Sequence, residues 1–425
     1  MVDALLSARV PRWQELNRAI DERDDMLDFA LHLFGHDRDR AVANYFQNAL
    51  DQYTLLVHIS RWRGTPGRML DFASGYGRLT RLLVHEHLAG ETTVSDILEG
   101  AMEFQHEQFG VRTILSTREP EQFPAAGPYD LIFVASLFSH LPASTFTRWL
   151  RRLTELLTPG GLLVFSVHDE SLAPEKVDGI AFHSTSESRV LDLEDYGSTF
   201  VTEGYVREQV RAIGEDWACI RMPRAMADWQ DVYVISPSAL PDAAQRHLPK
   251  GFVDNFAVAD DGVRVSGWAT MLDGPVDRVE VRLDGAVVAT ARSFGPRPDA
   301  AAWLGVPGAV DCGFECLLPH SAVHSFRYEV ATVSAFSPAG EERILFLGTL
   351  DSLDGHVARE RGKALQHQLA LRGMEITAMS EQLAAAQHHG KALEHQIAAM
   401  RASRFWKARD QWFAVKRRMG LTEET

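Results

Sequence analysis

The residues best placed for chemistry lie in "MLDFASGYGRLTRLL", Met69–Leu83, where an apolar run ends in Asp71 and Gly75 and Gly77 follow one residue apart. A dinucleotide-binding turn wants G-x-G-x-x-G, its third glycine allowing close helix packing. Here Thr80 stands in the third place. A Walker loop ends in Gly-Lys-Ser/Thr, and this stretch has no such lysine. What remains is D-x-A-S-G-x-G. A carboxylate beside exposed amides repels a pyrophosphate. It suits a ligand carrying an ammonium, such as a zwitterionic amino acid.

About twenty residues on, Asp96 closes "TVSDIL", where a carboxylate can take both hydroxyls of a ribose. An amino-acid end at Asp71 and a ribose at Asp96 describe S-adenosylmethionine. The bland alternative for both aspartates is a pair of helix N-caps. Further candidates stand at the ends of later apolar runs: Ser136 to His140 after "YDLIFVA", and His168–Asp169 after "LLVFSV". If the methyl acceptor is an alcohol, a base helps, because a hydroxyl is a poor nucleophile near neutrality. Either His140 or His168 could serve, with Asp169 orienting or replacing His168. Their structural alternatives are a helix cap and a solvated strand end. Tyr45, Phe46 and Tyr196 are candidates to line the pocket, although aromatics so spaced are more often core.

Those residues need a scaffold that brings strand ends together. Residues 1–62 read as a helical cap, with apolar residues at helical spacing in "MLDFALHLFG" and "NALDQYTLLVHISRW". From 63 to 237, strands at Arg68–Phe72, Thr92–Ser95, Thr113–Ser116, Leu131–Ala135 and Leu162–Val167 alternate with helical segments, and Trp217–Met222 and Val232–Ile235 follow. That alternation implies a buried parallel sheet with right-handed crossovers. "SPSALPDAAQRHLPKG" holds three prolines, and 238–251 read as a linker. Residues 252–350 alternate at period two with no helical segment, and Asp284-Gly285 suits a primed hairpin turn; the expectation is a small β-sandwich. Residues 351–400 carry an interrupted heptad pattern that predicts a coiled coil, hence a homo-oligomer. A lone amphipathic helix packed on the sandwich is the alternative. The tail, 401–425, mixes seven basic residues and one acid in "RASRFWKARDQWFAVKRRMG" with Phe405, Trp406, Trp412 and Phe413. Such a composition seeks an anionic membrane surface; docking on a protein partner is the alternative.

In order, "LDFASGYGRLTRLL", "VSDILEGAMEF", "YDLIFVASLFSHLP" and "LRRLTELLTPGGLLVFSVH" resemble the class I S-adenosylmethionine-dependent methyltransferases over residues 40–236. The resemblance implies an α/β, Rossmann-like seven-stranded sheet with "QDVYVIS" as its antiparallel last strand. It also implies cofactor contacts at Asp71, Ala73, Ser74, Gly75, Tyr76, Gly77, Asp96, Ile97 and Ser136, with adenine near Thr117. Ala73 departs from the glycine common in the family, and "STREPEQF" lacks an aspartate for the adenine amine. Residues 252–350 and the tail are similar, more loosely, to parts of bacterial cell-surface glycan enzymes. Together these imply O-methylation of a sugar in a surface polysaccharide or its precursor. The rivals are a protein, lipid or metabolite acceptor, or a non-catalytic scaffold in a glycan-assembly complex.

Composition bounds the rest. The chain has 425 residues, 45% hydrophobic and 24% charged, enough for about three domains. A net charge of −15 disfavours nucleic acid as the main partner. Cys219, Cys312 and Cys316 make no disulfide framework and no zinc set, so no metal is expected. With no apolar run near 18 residues and no leader-like start, the expectation is a cytoplasmic protein able to attach peripherally at the inner membrane face.

Overall fold

The computed structural model describes residues 1–124, 126–184, 192, 194–227, 229–241, 248–259, 261–304, 310–319, 321, 330–349, 391, 411–414 and 416–418. It divides into two compact units, Met1–Glu360 and Arg361–Thr425. The heptad segment expected to form a coiled coil, Lys391 apart, lies outside the described residues, as does most of the basic tail.

Three helices open the first unit: α1 (Val2–Arg9), α2 (Asp25–Leu33) and α3 (Arg38–Ser60). The side chains of Asp24 and Asp37 accept the amides of Met26 and Arg40, which starts α2 and α3. α3 buries Tyr45, Phe46, Leu50, Leu56 and Ile59.

Five short runs then form parallel strands: β1 (Arg68–Phe72), β2 (Glu91–Asp96), β3 (Arg112–Leu115), β4 (Tyr129–Val134) and β5 (Leu157–Asp169). They lie in the order β3-β2-β1-β4-β5. Their crossovers carry α4 (Thr80–His85), α5 (Glu99–Phe109) and α6 (Ala143–Thr154). After β6 (Ile180–His183), β7 (Ser198–Val201) and α7 (Glu203–Ile213), the chain returns through β8 (Ala218–Met226) and β9 (Gln230–Ser236). β9 is the expected "QDVYVIS" strand; it inserts antiparallel between β5 and β8 and gives a Rossmann-like mixed sheet. The pair β6–β7 is new. It extends β5 at its carboxyl end, with His168 opposite Phe200 and Asp169 opposite Val201. Four-residue strands without a continuous apolar run leave little periodic signal in a sequence.

The following segment holds β10 (Lys250–Ala259), β11 (Gly262–Thr270), β12 (Arg278–Leu283), β13 (Ala286–Ala291), β14 (Gly295–Pro296), a helix α8 (Pro298–Leu304), β15 (Asp311–Pro319), β16 (Val330–Phe336) and β17 (Glu342–Thr349). Two four-stranded sheets result, β10-β11-β15-β14 and β13-β12-β16-β17. Val253, Val265 and Leu318 of one and Val281, Val333 and Phe346 of the other share one core. Asp284 and Gly285 have φ of 47° and 84°, the left-handed pair a primed turn requires. Two features differ from the sequence reading. α8 interrupts the strands, and β10 begins at Lys250, inside the segment read as linker. Lys250 is buried and donates to the carbonyl of Arg224 at 2.6 Å, which fixes that start.

This half is docked on the helical cap. Ile344 of β17 joins Leu5, Leu6, Leu50 and Tyr45 in one cluster. Around it His58 Nδ1 meets Glu341 Oε1 at 2.7 Å, Arg343 meets Asp51 at 3.5 Å and Arg9 meets Glu342 at 3.7 Å. Ile344→Ala should cost about 2–5 kcal/mol by opening a cavity at this junction. A urea titration of the full chain reads that as a lower midpoint; an unmoved midpoint would mean the junction adds no stability.

Candidate active site

β1 ends in Asp71, and the backbone must then reverse sharply into α4. Ala73, Gly75 and Gly77 all adopt left-handed conformations, with φ of 58°, 55° and 76°. Only glycine takes this region without cost. Gly77 is doubly constrained, since an added Cβ would lie 2.6 Å from Phe109 Cε2 and 2.9 Å from Gln105 Oε1. The Ser74 amide donates to the Ser95 carbonyl at 3.1 Å, and the Gly75 amide donates to Asp96 Oδ2 at 2.8 Å. Asp96 Oδ1 accepts the Leu98 amide at 3.0 Å. Asp71, Ala73, Ser74, Gly75, Gly77 and Asp96 are thus joined in one cradle, with Ile97 next to it.

Two residues that the sequence did not flag hold the cradle from behind. Gln105 of α5 donates to Ser74 Oγ at 2.8 Å and to the Gly75 carbonyl at 2.7 Å. Arg81 of α4 is buried, donating to the carbonyls of Gly77 at 3.2 Å and Ala19 at 2.9 Å and to Tyr45 Oη at 3.2 Å. Tyr45 in turn donates to Asp24 at 2.7 Å. Tyr45 and Phe46 therefore sit in the core around Arg81, rather than at a pocket wall. The Tyr76 ring packs with Val94, Ala101 and Met102, with the Arg23 guanidinium 5.5 Å from its centre, so its backbone is what belongs to the turn. Thr117 lies beyond β3, its hydroxyl donating to the Glu119 carbonyl at 2.8 Å, while Ser116 donates its amide to the Asp96 carbonyl at 2.8 Å.

Both carboxylates are nearly dehydrated. Burial pushes the Asp71 carboxyl up to about 7; the Thr80 hydroxyl at 3.2 Å opposes the rise and the Asp96 charge adds to it. Burial also raises Asp96, against the stabilising amides of Leu98, Gly75 and Ile97. Among the described residues neither has an ion-pair partner. A buried acid that feels the Arg78 charge but makes no ion pair with it fits a ligand that brings an ammonium, and a second acid beside amide donors fits vicinal hydroxyls. An ammonium and vicinal hydroxyls are both carried by S-adenosylmethionine, so the residues present fit that group.

Register places a second group on the same edge. β1 pairs with β4 so that Phe72 lies opposite Val134, and the turn after β4 therefore emerges beside Ala73. Ser136 is left-handed, with φ of 55°; its amide donates to Ser166 Oγ at 2.8 Å and its hydroxyl to Gln230 Oε1 at 3.2 Å. Gln230 of β9 also donates to His168 Nε2 at 3.3 Å. His140 follows. Its Nδ1 lies 2.7 Å from the Gly197 carbonyl, and the ring of Tyr196 stacks on it at 4.5 Å. The Gly197 amide returns a bond to the His140 carbonyl at 2.9 Å, so the run into β7 clamps the histidine from both ends. Burial lowers the His140 imidazole below its ordinary value, partly offset by the Gly197 bond. It is then a neutral ring with its proton on Nδ1 and its lone pair on Nε2. The rings of His140 and His168 are 5.8 Å apart.

Asp169 is drawn elsewhere. It meets Arg221 at 2.8 Å, and that guanidinium also holds Glu203 at 2.7 Å and Asp231 at 2.6 Å. Asp169 further accepts the Ser171 amide at 3.0 Å. Its observed role is to tie β5 to β8, β9 and α7.

A cradle of this kind after β1, an acid at the end of β2 and a mixed sheet with an antiparallel penultimate strand define the S-adenosylmethionine-dependent methyltransferase class. Residues 34–245 match the family model for a methyltransferase domain. A malonyl-[acyl-carrier protein] O-methyltransferase of Methylococcus capsulatus is 29% identical over 164 residues, which are 38% of this chain and 56% of that protein. The chain thus spans little more than half the length of this curated relative. Among solved structures, an S-adenosylmethionine-dependent methyltransferase from Clostridium acetobutylicum is 12% identical, with TM-score 0.36 over 50% of this chain and 97% of that one. The N-methyltransferase NodS from Bradyrhizobium japonicum, in complex with S-adenosyl-L-homocysteine, is 14% identical, with TM-score 0.33 over 51% of this chain and all of that one.

The raised Asp71 carboxyl has a thermodynamic consequence. Between its unfolded value near 3.8 and its folded value of about 7, the native state binds the extra proton, so stability falls as pH rises through that window. Asp71→Asn should therefore raise the melting temperature of the cofactor-free protein by a few degrees at pH 8 and little at pH 4, while abolishing cofactor binding. Scanning fluorimetry and calorimetry read the two effects, and a variant destabilised at pH 8 would contradict this assignment. Asp96→Ala should weaken cofactor binding at least tenfold by the same calorimetry.

Proposed function

We propose that the chain transfers a methyl group from S-adenosylmethionine to a hydroxyl of a bacterial cell-surface glycan or its precursor. The observation that carries the chemistry is His140, a half-buried imidazole lowered below its ordinary value, whose Nδ1 is held by the Gly197 carbonyl. When bound, the cofactor supplies an electrophilic methyl group whose leaving group is a neutral thioether. Asp71 would hold the ammonium, Asp96 the ribose hydroxyls, and the amides of the glycine turn the intervening edge. The protein's remaining work is to align the acceptor oxygen and take its proton. His140 Nε2 accepts that proton as the oxygen–carbon bond forms. His168, whose Nε2 already accepts from Gln230, acts with Gln230 and Ser136 as the wall that holds the acceptor.

The glycan reading is supported by the likeness of residues 252–350 and the tail to parts of cell-surface glycan enzymes. We propose with it that the heptad segment assembles copies of the chain and that the tail meets an anionic membrane. In the tail, Trp412 and Phe413 are exposed, and Lys416 Nζ lies 6.0 Å from the Trp412 ring centre. No helix among the described residues is long and apolar enough to cross a membrane. Flotation with phosphatidylglycerol vesicles, with and without residues 401–425, tests the membrane part; equal flotation would refute it.

A second reading comes from the Methylococcus relative, which is named for O-methylation of a malonyl group. A carboxylate acceptor is already an anion and needs no base. His140→Gln separates the two. For a hydroxyl acceptor it should lower kcat about 10²–10⁴-fold and erase the acid limb of the pH–rate profile; for a carboxylate it should change kcat little. The acceptor class itself is read from surface polysaccharide of a deletion strain complemented with wild type or Asp96→Ala. A methyl ether restored by wild type alone is expected, and an unchanged glycan would refute the glycan reading while leaving the transfer chemistry standing.

A further inference from the structure

The two-sheet half of the molecule carries a groove that methyl transfer does not use. It has a volume of about 520 Å³, within the range of small-ligand sites, and lies open along one side. Its walls come from β10, β11, β15 and the segment from Ser293 to Arg297 that leads into α8.

Three features make it a built site. Glycines shape its floor, because a Cβ on Gly313 would lie 2.8 Å from Arg297 Cγ and one on Gly267 2.1 Å from the Phe252 carbonyl oxygen. Arg297 can therefore lie across β15 only while residue 313 has no side chain. The guanidinium is then fixed at both ends, by Asp254 on β10 and by two bonds of 2.8 Å to Asp299 at the start of α8. Two carboxylates thus face its single charge, and Asp299 is held down at about 2 by the Arg297 bonds. Finally, the remaining polar groups of the lining are short and mixed. Ser266, Ser293 and Glu315 surround Phe294, which is half-buried against the domain core, and Glu315 is steadied by Arg264 at 2.9 Å.

Such a surface selects by chemistry. Arg297 is matched by two carboxylates and Arg264 by Glu315 and Asp261, so no surplus cation is left for a phosphate or sulfate. No broad apolar floor is present for an acyl chain. Carboxylate oxygens accept from neighbouring hydroxyl groups, serine hydroxyls accept from and donate to them, and the open face admits a chain longer than the groove itself. We propose that this groove binds a neutral polyhydroxylated chain, an oligosaccharide. The proposal deepens the glycan reading above and places a holding site for the acceptor chain on the second half of the molecule, away from His140.

The full-length protein without cofactor, applied to an array of neutral bacterial oligosaccharides with heparin as an anionic control, tests it. Binding to at least one neutral glycan is expected, none to heparin, and affinity should fall about tenfold in Glu315→Ala and in Ser266→Ala, each deleting one hydrogen bond to a hydroxyl. Both positions reach solvent, and far-ultraviolet circular dichroism of each variant should match wild type. No neutral glycan bound, binding to heparin alone, or affinity unchanged in both variants would overturn the proposal. Because no methyl donor is present, a positive array with an unmethylated surface glycan would sink the glycan-transfer reading and leave the groove standing. A methylated glycan with a negative array would do the reverse.

Discussion

The bond from the Gly75 amide to Asp96 holds the active end of the sheet together. The turn after β1 keeps three residues left-handed, one of them Ala73, and an L residue in that region costs roughly 1–2 kcal/mol. Within the turn, the Gly77 amide donates to the Ser74 carbonyl at 3.1 Å. The rest of the offset comes from outside it: Asp96 accepts the Gly75 amide, Gln105 donates to the Gly75 carbonyl, and Arg81 donates to the Gly77 carbonyl. Each comes from a different element, so the turn takes its shape only when β2, α4 and α5 are all in place. The same supports leave Asp71 and Asp96 dehydrated, and burial raises both carboxyls, with the Asp96 charge adding to the rise at Asp71. Their cost to the empty protein is the counterpart of an affinity for a cation and for hydroxyl donors.

Much of this arrangement is legible in residue types. Asp71, Gly75, Gly77 and Asp96 announce themselves because glycine pairs and strand-terminal acids have few uses at that spacing. β9 was readable because "VYVI" is apolar beside "QD". Asp284-Gly285 was readable because left-handed turns admit few residues. Gln105, Arg81 and Gln230 were not, and the reason is common to all three. Each acts through partners far away in sequence, such as Ala19 for Arg81 and Ser136 for Gln230, and a polar residue on a helix or strand looks solvated until its partner is known. The histidines show the same limit from another side. Sequence places His140 and His168 equally at strand ends. Only β7 separates them, by giving Gly197 to His140, while Gln230 goes to His168. Asp169 reads as a companion of His168 because it is next to it, yet Arg221 gathers it with Glu203 and Asp231.

Packing also joins the two halves of the first unit more firmly than a proline-bearing connection suggests. Ile344 and the ion pairs at Glu341, Glu342 and Arg343 engage α1 and α3, the helices that carry Arg9, Asp51 and His58. The cluster that receives Ile344 includes Tyr45, whose hydroxyl meets both Arg81 and Asp24. From the second half to the glycine turn there is thus an unbroken run of contacts: β17, the helical cap, Arg81 and the Gly77 carbonyl. That run gives the helical cap a physical role. It is the layer that supplies a buried guanidinium with tyrosine and carbonyl oxygens as hydrogen-bond acceptors in place of water.

The two candidate sites follow opposite electrostatic designs, and the contrast indicates what each handles. At the strand ends, Asp71 and Asp96 are buried without ion pairs, burial lowers the His140 imidazole, and left-handed residues are kept in place by distant elements. Such a site gains when a charged ligand arrives, and it suits chemistry in which charge is redistributed. In the groove, Arg297 is paired on both sides, Glu315 is paired with Arg264, and the glycines give room without straining the ion pairs. A surface whose two guanidiniums are already taken up by four carboxylates gains nothing from an anionic ligand and presents directional hydrogen bonds. It suits holding an uncharged chain while another part of the molecule works on it.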